Sequence, residues 1–269
     1  MESASVSHLP RAAPRRPPRP PEVPVVGVPL AVSDYDRTID WIEGVVAERG
    51  RAIVAPAAVQ LVMMAREDPA TRAATCRDDV LVLPDGQPLV WALRLLGHRA
   101  SRLYGPDLMT LFCERARSTG IRMYLYGGRN QGALVQLTTE LRRRHPGARI
   151  VGGYSPPYRE LTAEEEDWVA ADIVRSGADV VWVGIGQPRQ QQWMARMRDR
   201  IDAPVLIGVG AAFDFHAGLV PQAPRWLMDA GLEWAFRLLQ EPRRLWRRYW
   251  RYNPRFVRAF VRQLLDGRT

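Results

Sequence analysis

A chain of 269 residues with 46% hydrophobic content can bury a full core, enough for one large domain and an appendage, and its formal net charge is +9. Two cysteines and four scattered histidines offer neither a disulfide framework nor metal-ligand spacing, so no metal or cofactor is expected and a reducing compartment is. The longest apolar runs, such as 180–185, fall far short of the roughly 18 residues that a spanning helix needs, which argues against a transmembrane helix.

Residues 1–24 hold seven Pro and four Arg with almost no large apolar residue, and read as a disordered leader. The lack of a central apolar run argues against a signal peptide. From residue 25 the chain alternates short apolar runs with longer amphipathic stretches. Strands are expected at 51–55, 80–83, 121–126, 149–151, 179–184 and 204–209, with helices between them, for instance at 106–118, 131–144, 163–176 and 189–200. Such alternation predicts an α/β fold over 25–236, a mostly parallel Rossmann-like sheet flanked by helices, whose ligands gather at the strand carboxyl ends.

Those strand ends are rich in glycine. Four runs stop in Leu83-Pro84-Asp85-Gly86, Tyr126-Gly127-Gly128, Gly184-Ile185-Gly186-Gln187-Pro188 and Gly208-Val209-Gly210. Glycine lets backbone approach a phosphate, and a following helix aims its free N–H groups at the anion. A nucleotide-type ligand is therefore expected near Gly127, Gly128, Gly186 and Gly210. None of the four completes G-x-G-x-x-G, and no acid stands about 20 residues after Gly127-Gly128 to hold a ribose, which argues against a dinucleotide fold.

The charge is concentrated in residues 237–269. Between Arg237 and Arg262 nine arginines face one acid, Glu241, while the body is close to neutral. On a helix at about 100° per residue, Leu245, Trp246, Tyr249, Trp250, Tyr252, Phe256, Val257, Phe260, Val261 and Leu264 share one half of the circumference. Arg244, Arg247, Arg248, Arg251, Arg255, Arg258 and Arg262 share the other. A C-terminal helix packed on the body would show a solvated face too, but that face would mix signs, and this one carries no acid. An Arg-rich amphipathic helical appendage on an anionic membrane surface is the favoured reading. Nucleic acid is the rival partner, and the neutral body speaks against it. Asn253-Pro254 is expected to divide the arm into two helices. Arg237, Arg244 and Arg247, seven and three residues apart, are expected on one helical stripe that could meet a diphosphate.

Several motifs occur in a telling order. Gly105-Pro106-Asp107-Leu108, Tyr126-Gly127-Gly128, Gly184-Ile185-Gly186-Gln187-Pro188-Arg189-Gln190, Gly208-Val209-Gly210-Ala211-Ala212-Phe213-Asp214-Phe215, Ala223-Pro224-Arg225, Gly231-Leu232-Glu233-Trp234 and Glu241-Pro242-Arg243 follow one another. In this order the chain, over about residues 25–252, resembles the WecG/TagA/CpsF bacterial glycosyltransferases. The resemblance implies an inverting transferase that moves a sugar, often of N-acetylmannosamine type, from a UDP-sugar to a polyprenyl-diphosphate-linked sugar in cell-envelope or exopolysaccharide assembly. It implies a peripheral enzyme on the cytoplasmic face of the plasma membrane, with an arginine-rich appendage closing over the site. Residue by residue, Asp85 resembles the catalytic base, Arg102 and Gln190 resemble sugar or diphosphate contacts, and Phe213 and Asp214 lie where the donor nucleotide is held.

The chain also departs from that pattern. Members usually read T-x-N after the first strand, where this chain has Ala55 and Ala57, and Gln-Glu where it has Gln190-Gln191. A site lacking those partners should reject the sugar they serve, so a hexose donor is open. So is a degenerate relative that grips a lipid-linked sugar without turnover, which the intact Asp85 opposes. A homo-oligomer is left open.

Overall fold

The computed structural model describes residues 17–267; the side chains of Asp229 and Arg244 lie outside the described set. The chain opens with a hairpin, β1 (Glu22–Val25) and β2 (Val28–Ala31), paired antiparallel. Val26 and Gly27 turn it at φ 53° and 83°, the left-handed pair that a tight two-residue hairpin requires. Then follow α1 (Tyr35–Ala47), β3 (Ala52–Ala57), α2 (Val59–Glu67), α3 (Pro69–Thr75), β4 (Val80–Pro84), α4 (Gln87–Leu95) and α5 (Gly105–Thr119). The second half runs β5 (Arg122–Gly127), α6 (Gln131–Arg144), β6 (Arg149–Tyr154), α7 (Ala163–Ser176), β7 (Val180–Gly184), α8 (Arg189–Met197) and β8 (Val205–Gly208). Four helices close the chain: α9 (Ala212–His216), α10 (Arg225–Asp229), α11 (Glu233–Gln240) and α12 (Pro242–Leu265).

Local chemistry sets these boundaries. Asp34, Asp68 and Asn130 each accept the N–H three residues on, and Thr162 with Glu165 forms a reciprocal capping box at the start of α7. The eight strands form one sheet in the order β1-β2-β4-β3-β8-β7-β5-β6, parallel throughout except for the β1–β2 hairpin. Side chains alternate across it. On β3, Ile53, Ala55 and Ala57 join the core layer that includes α2, α4, α7 and α8, while Ala52 and Val54 join the layer of α1, α5, α6 and α9. After β4 the chain crosses to the far half of the sheet, so the carboxyl ends of β3, β4, β7 and β8 meet in the crevice where an α/β sheet binds its ligands.

The expected α/β class with its flanking helices and C-terminal helix is the observed one; three expectations need correction. The leader does not run to residue 24. Arg19 bonds the Asp78 and Val80 carbonyls at 2.7 and 2.6 Å and pairs with Glu22, and Glu22 already belongs to the sheet. Residues 1–16 lie outside the described residues. Next, Pro254 does not split the arm, because α12 continues through it. An interior proline costs about 3 kcal/mol, and the packing of buried Leu245, Tyr252, Phe256, Ala259 and Phe260 offsets that. Four of these five belong to the α2 core layer; Arg255 pairs with Glu67, and Gln263 fastens the helix end to the hairpin through Val26 N–H and Pro24 O, both at 2.7 Å. Third, the arginine stripe is broken. Glu241 leaves helical geometry at φ −130°, ψ 59° and Pro242 starts a new helix, so Arg237 stands on α11 while Arg244 and Arg247 stand on α12.

Candidate active site

The turn after β4 is hung on the end of β3. The N–H groups of Asp85 and Gly86 both donate to the Ala57 carbonyl, at 3.0 and 3.2 Å, which fixes the Asp85 turn at the carboxyl end of β3 with its carboxylate largely buried. Arg102 closes one side. Its Nε donates to the Asp85 carbonyl at 2.6 Å, its Nη2 lies 3.5 Å from Asp85 Oδ1, and its guanidinium rests on the Tyr104 ring at 4.3 Å. The same Nη2 donates to Glu233 Oε2 at 2.5 Å. Glu233 is buried, at the first turn of α11. One turn on, Arg237 lies over the Phe215 ring at 5.6 Å.

Burial pushes the Asp85 carboxyl up to about 6; Arg102 pulls it down, Glu233 pushes it up, and Arg237 and the Gly105 N–H pull it down again. The result is a group ionised at neutral pH yet more basic than a free carboxylate, the condition a general base needs. We expect kcat/KM to fall about tenfold per unit below pH 6 and to level off above it, as a pH profile would read. Stability should run the other way. Because the folded pKa exceeds the unfolded one, the protonated group favours the fold at low pH, and that contribution is lost as pH rises through about 6. Asp85→Asn should therefore be more stable than the native chain at pH 8, by up to about 3 kcal/mol in a urea titration.

On the other flank, the strand-end glycines serve close packing. A Cβ on Gly127 would lie 2.5 Å from the Gly184 carbonyl oxygen, and one on Gly184 would lie 2.6 Å from the Phe213 ring. Phe213 is thus a buried floor beneath β5 and β7. Gly186 differs: at φ +81° nothing lies within 4 Å of where its Cβ would be, so its backbone is open to an approaching group. Gly128 and Gly210 are also left-handed, at φ +94° and +53°. Asp214 pairs with Arg129 at 3.0 Å, which ties the turn after β5 to α9.

Gln190 is fully buried, its amide beside Gly208 and Gly210, and neither amide atom has a hydrogen-bond partner among the described residues. Gln191 is buried in the same condition. Gln187 ties this turn to β3 through the Pro56 carbonyl at 2.7 Å. Ala55 and Ala57 are wholly buried.

Of the residues nominated from sequence, Asp85, Arg102 and Arg237 form one cluster. Arg247 does not join it: it is exposed on α12, beside Pro242, Arg243 and Trp246. The side chain of Arg244 lies outside the described residues. Sequence reasoning gave no role to Glu233, Tyr104, Arg129 or Phe215. Glu233 was in view inside Gly231-Leu232-Glu233-Trp234, but a single acid at a helix start carries no signal of its own.

Comparison with known proteins identifies the family. The profile of the "Glycosyl transferase WecG/TagA/CpsF family" matches residues 23–269. An "N-acetylglucosaminyldiphosphoundecaprenol N-acetyl-beta-D-mannosaminyltransferase" of Bacillus spizizenii is 31% identical over 212 residues, 78% of this chain and 79% of the relative. A protein of the same description from Bacillus subtilis is 32% identical over 168 residues, 62% of this chain and 63% of the relative. With a family match across nearly the whole described chain and a relative 31% identical over most of both chains, this protein belongs to the WecG/TagA/CpsF family of glycosyltransferases.

Proposed function

We propose that the protein transfers a sugar from a UDP-sugar to a polyprenyl-diphosphate-linked sugar with inversion, in cell-envelope or exopolysaccharide assembly, working at the inner face of the plasma membrane. The observation that carries this reading is Asp85, raised to about 6 and flanked by Arg102 and Arg237. The carboxylate accepts the proton of the attacking hydroxyl while the anomeric bond to UDP breaks on the opposite face of the sugar. Arg102, with Nε and Nη2 already engaged, holds the Asp85 turn, and Arg237 offers paired donors to a diphosphate. Gly186, Gly128, Gly210 and Asp214 border the donor nucleotide in this reading. Gln190 takes part only if a bound ligand reaches its buried amide. No metal or cofactor enters the scheme.

The names of the two Bacillus relatives supply the acceptor class, an N-acetylglucosaminyl diphosphate lipid. The same names give N-acetylmannosamine as the sugar those relatives transfer. In this chain Ala55 and Ala57 on β3 have no side-chain hydrogen-bonding group to spend on an acetamido or hydroxyl, so a hexose donor is equally open. The same alanines favour the second reading, a relative that holds a lipid-linked sugar without turnover. A panel of UDP-hexoses and UDP-N-acetylhexosamines with a short-chain polyprenyl-diphosphate sugar separates the two. A mass increase of one sugar in the acceptor supports transfer; acceptor binding with no mass increase from any donor supports the binder.

Membrane attachment belongs to this proposal. No helix of the described residues is long and apolar enough to cross a bilayer. Phe256, expected from its position on the helical wheel to insert, is 3% exposed and belongs to the core, whereas Trp246 and Trp250, stacked at 5.7 Å, are 57% and 70% exposed. Val257, Val261 and Leu265 extend the exposed stripe. Each arginine near an anionic leaflet contributes about 1 kcal/mol, screened over roughly 8 Å at physiological salt, while the indole contribution resists salt. Sedimentation with anionic vesicles should be strong, should weaken only partly at high salt, and should nearly vanish after Trp246→Ala with Trp250→Ala. Tight nucleic-acid binding without vesicle binding would overturn the membrane reading, since that affinity falls steeply with salt and needs no indoles.

A further inference from the structure

Glu233 occupies an unusual place: a buried carboxylate on α11 that reaches across to the arginine of the Asp85 turn. Arg102 stands between two acids, and the distances are unequal. Its Nη2 is bonded to Glu233 at 2.5 Å and only approaches Asp85 Oδ1 at 3.5 Å, beyond hydrogen-bond length. The segment carrying Glu233 is seated directly on the Asp85 turn, because a Cβ on Gly231 would lie 3.3 Å from Cγ of Gln87. Gln87 begins the helix that follows Asp85-Gly86. Arg237, one turn beyond Glu233, is held over Phe215 by the same helix.

We infer that Glu233 is a positioning residue for transfer: by engaging Arg102 it keeps the guanidinium from closing onto Asp85, and it pins α11 so that Arg237 faces the same crevice. The inference rests on the proposed role of Asp85 as base. The physical reason is competition for one cation. An unopposed Arg102 would swing into a direct, charge-assisted pair with Asp85, holding that carboxylate ionised to low pH and making it a poor proton acceptor. With Glu233 bonded to Nη2, the cation is shared and the Asp85 carboxylate keeps its affinity for a proton. Among the described residues, the other charged or titratable groups around Asp85 and Arg102 are Arg237 on the same helix as Glu233, Tyr35 on α1, Tyr104 before α5, and Asp107 in the first turn of α5, which acts on Arg102 but is itself paired with Arg225 at 3.3 Å. Both phenols are held well above their ordinary range by burial and stay neutral.

The test is the titration of Asp85 in the full chain, read by NMR of ¹³C-carboxyl-labelled aspartate and assigned by loss of the signal in Asp85→Asn. In the native chain it should lie near 6. Glu233→Gln preserves shape and removes charge; the Asp85 titration should then fall by about one unit, and the acid limb of kcat/KM should move down with it. Turnover should drop about tenfold with little change in donor KM. A merely structural role would lower the melting temperature and leave the limb in place. An unchanged titration in folded Glu233→Gln overturns the inference. So does a native Asp85 that titrates in the ordinary range near 4, a result that does not depend on whether the variant folds. Failure of the transferase reading is distinguishable, since it appears as absent transfer by the native chain while the titration still responds to Glu233.

Discussion

Asp85→Asn is expected to lower turnover by roughly 10²- to 10⁴-fold while donor binding changes little. The amide keeps the shape of the carboxylate and can still accept from the Gly105 N–H, so the turn hung on Ala57 and the contacts of Arg102 survive. What disappears is proton affinity. The acceptor hydroxyl must then surrender its proton to water, and the loss appears in kcat and kcat/KM together rather than in KM. Greater folded stability at pH 8 should accompany the loss, because the amide carries no charge to desolvate. Near-normal turnover in Asp85→Asn would remove Asp85 from the mechanism.

Truncation before Glu241 is expected to abolish transfer even to a soluble acceptor in detergent, where membrane attachment is irrelevant. Two effects combine. The cut removes Arg243 and Arg247, which stand exposed on α12 away from the Asp85 cluster and in the proposed reading supply forked donors to a diphosphate once the arm closes over the site. It also strips Leu245, Tyr252, Phe256, Ala259 and Phe260 from their packing. Exposing that many buried side chains costs several kcal/mol, so loss of activity alone would not separate chemistry from folding. Arg243→Ala with Arg247→Ala separates them, since both side chains are exposed and their loss leaves the core alone. That double variant should keep its melting temperature and lose transfer by about 10²-fold. Full activity of the truncated chain on a soluble acceptor would leave the arm an anchor and nothing more.

Much of the fold was legible because its signals are local. Short apolar runs located β3 to β8, four of them stopping in a glycine turn or Asp-Gly, and the amphipathic stretches at 131–144 and 163–176 are the observed α6 and α7. The β1–β2 hairpin was hidden by its prolines, which made its first strand read as part of the leader; Pro24 and Pro29 face each other on an edge pair that tolerates them. Pro254 misled for the opposite reason. Its local preference is real, but packing on α2 overrides it. The arginine stripe failed at Pro242, whose place at a helix start reads equally well as interior until the turn before it is seen. In the site, Asp85 and Arg102 come together 17 residues apart in sequence, whereas the partner that binds Arg102 most closely is 131 residues away. No periodicity reports such a contact.

The central claim is a single displacement with Asp85 as the only base, and the anomeric configuration of the product tests it most directly. The lipid-linked product is released from its diphosphate and its new glycosidic linkage is read by proton NMR. The account predicts a configuration opposite to that of the sugar in the UDP donor, formed by the native chain and lost with Asp85→Asn. Retention of the donor's configuration would require two displacements through a covalent intermediate and would contradict it.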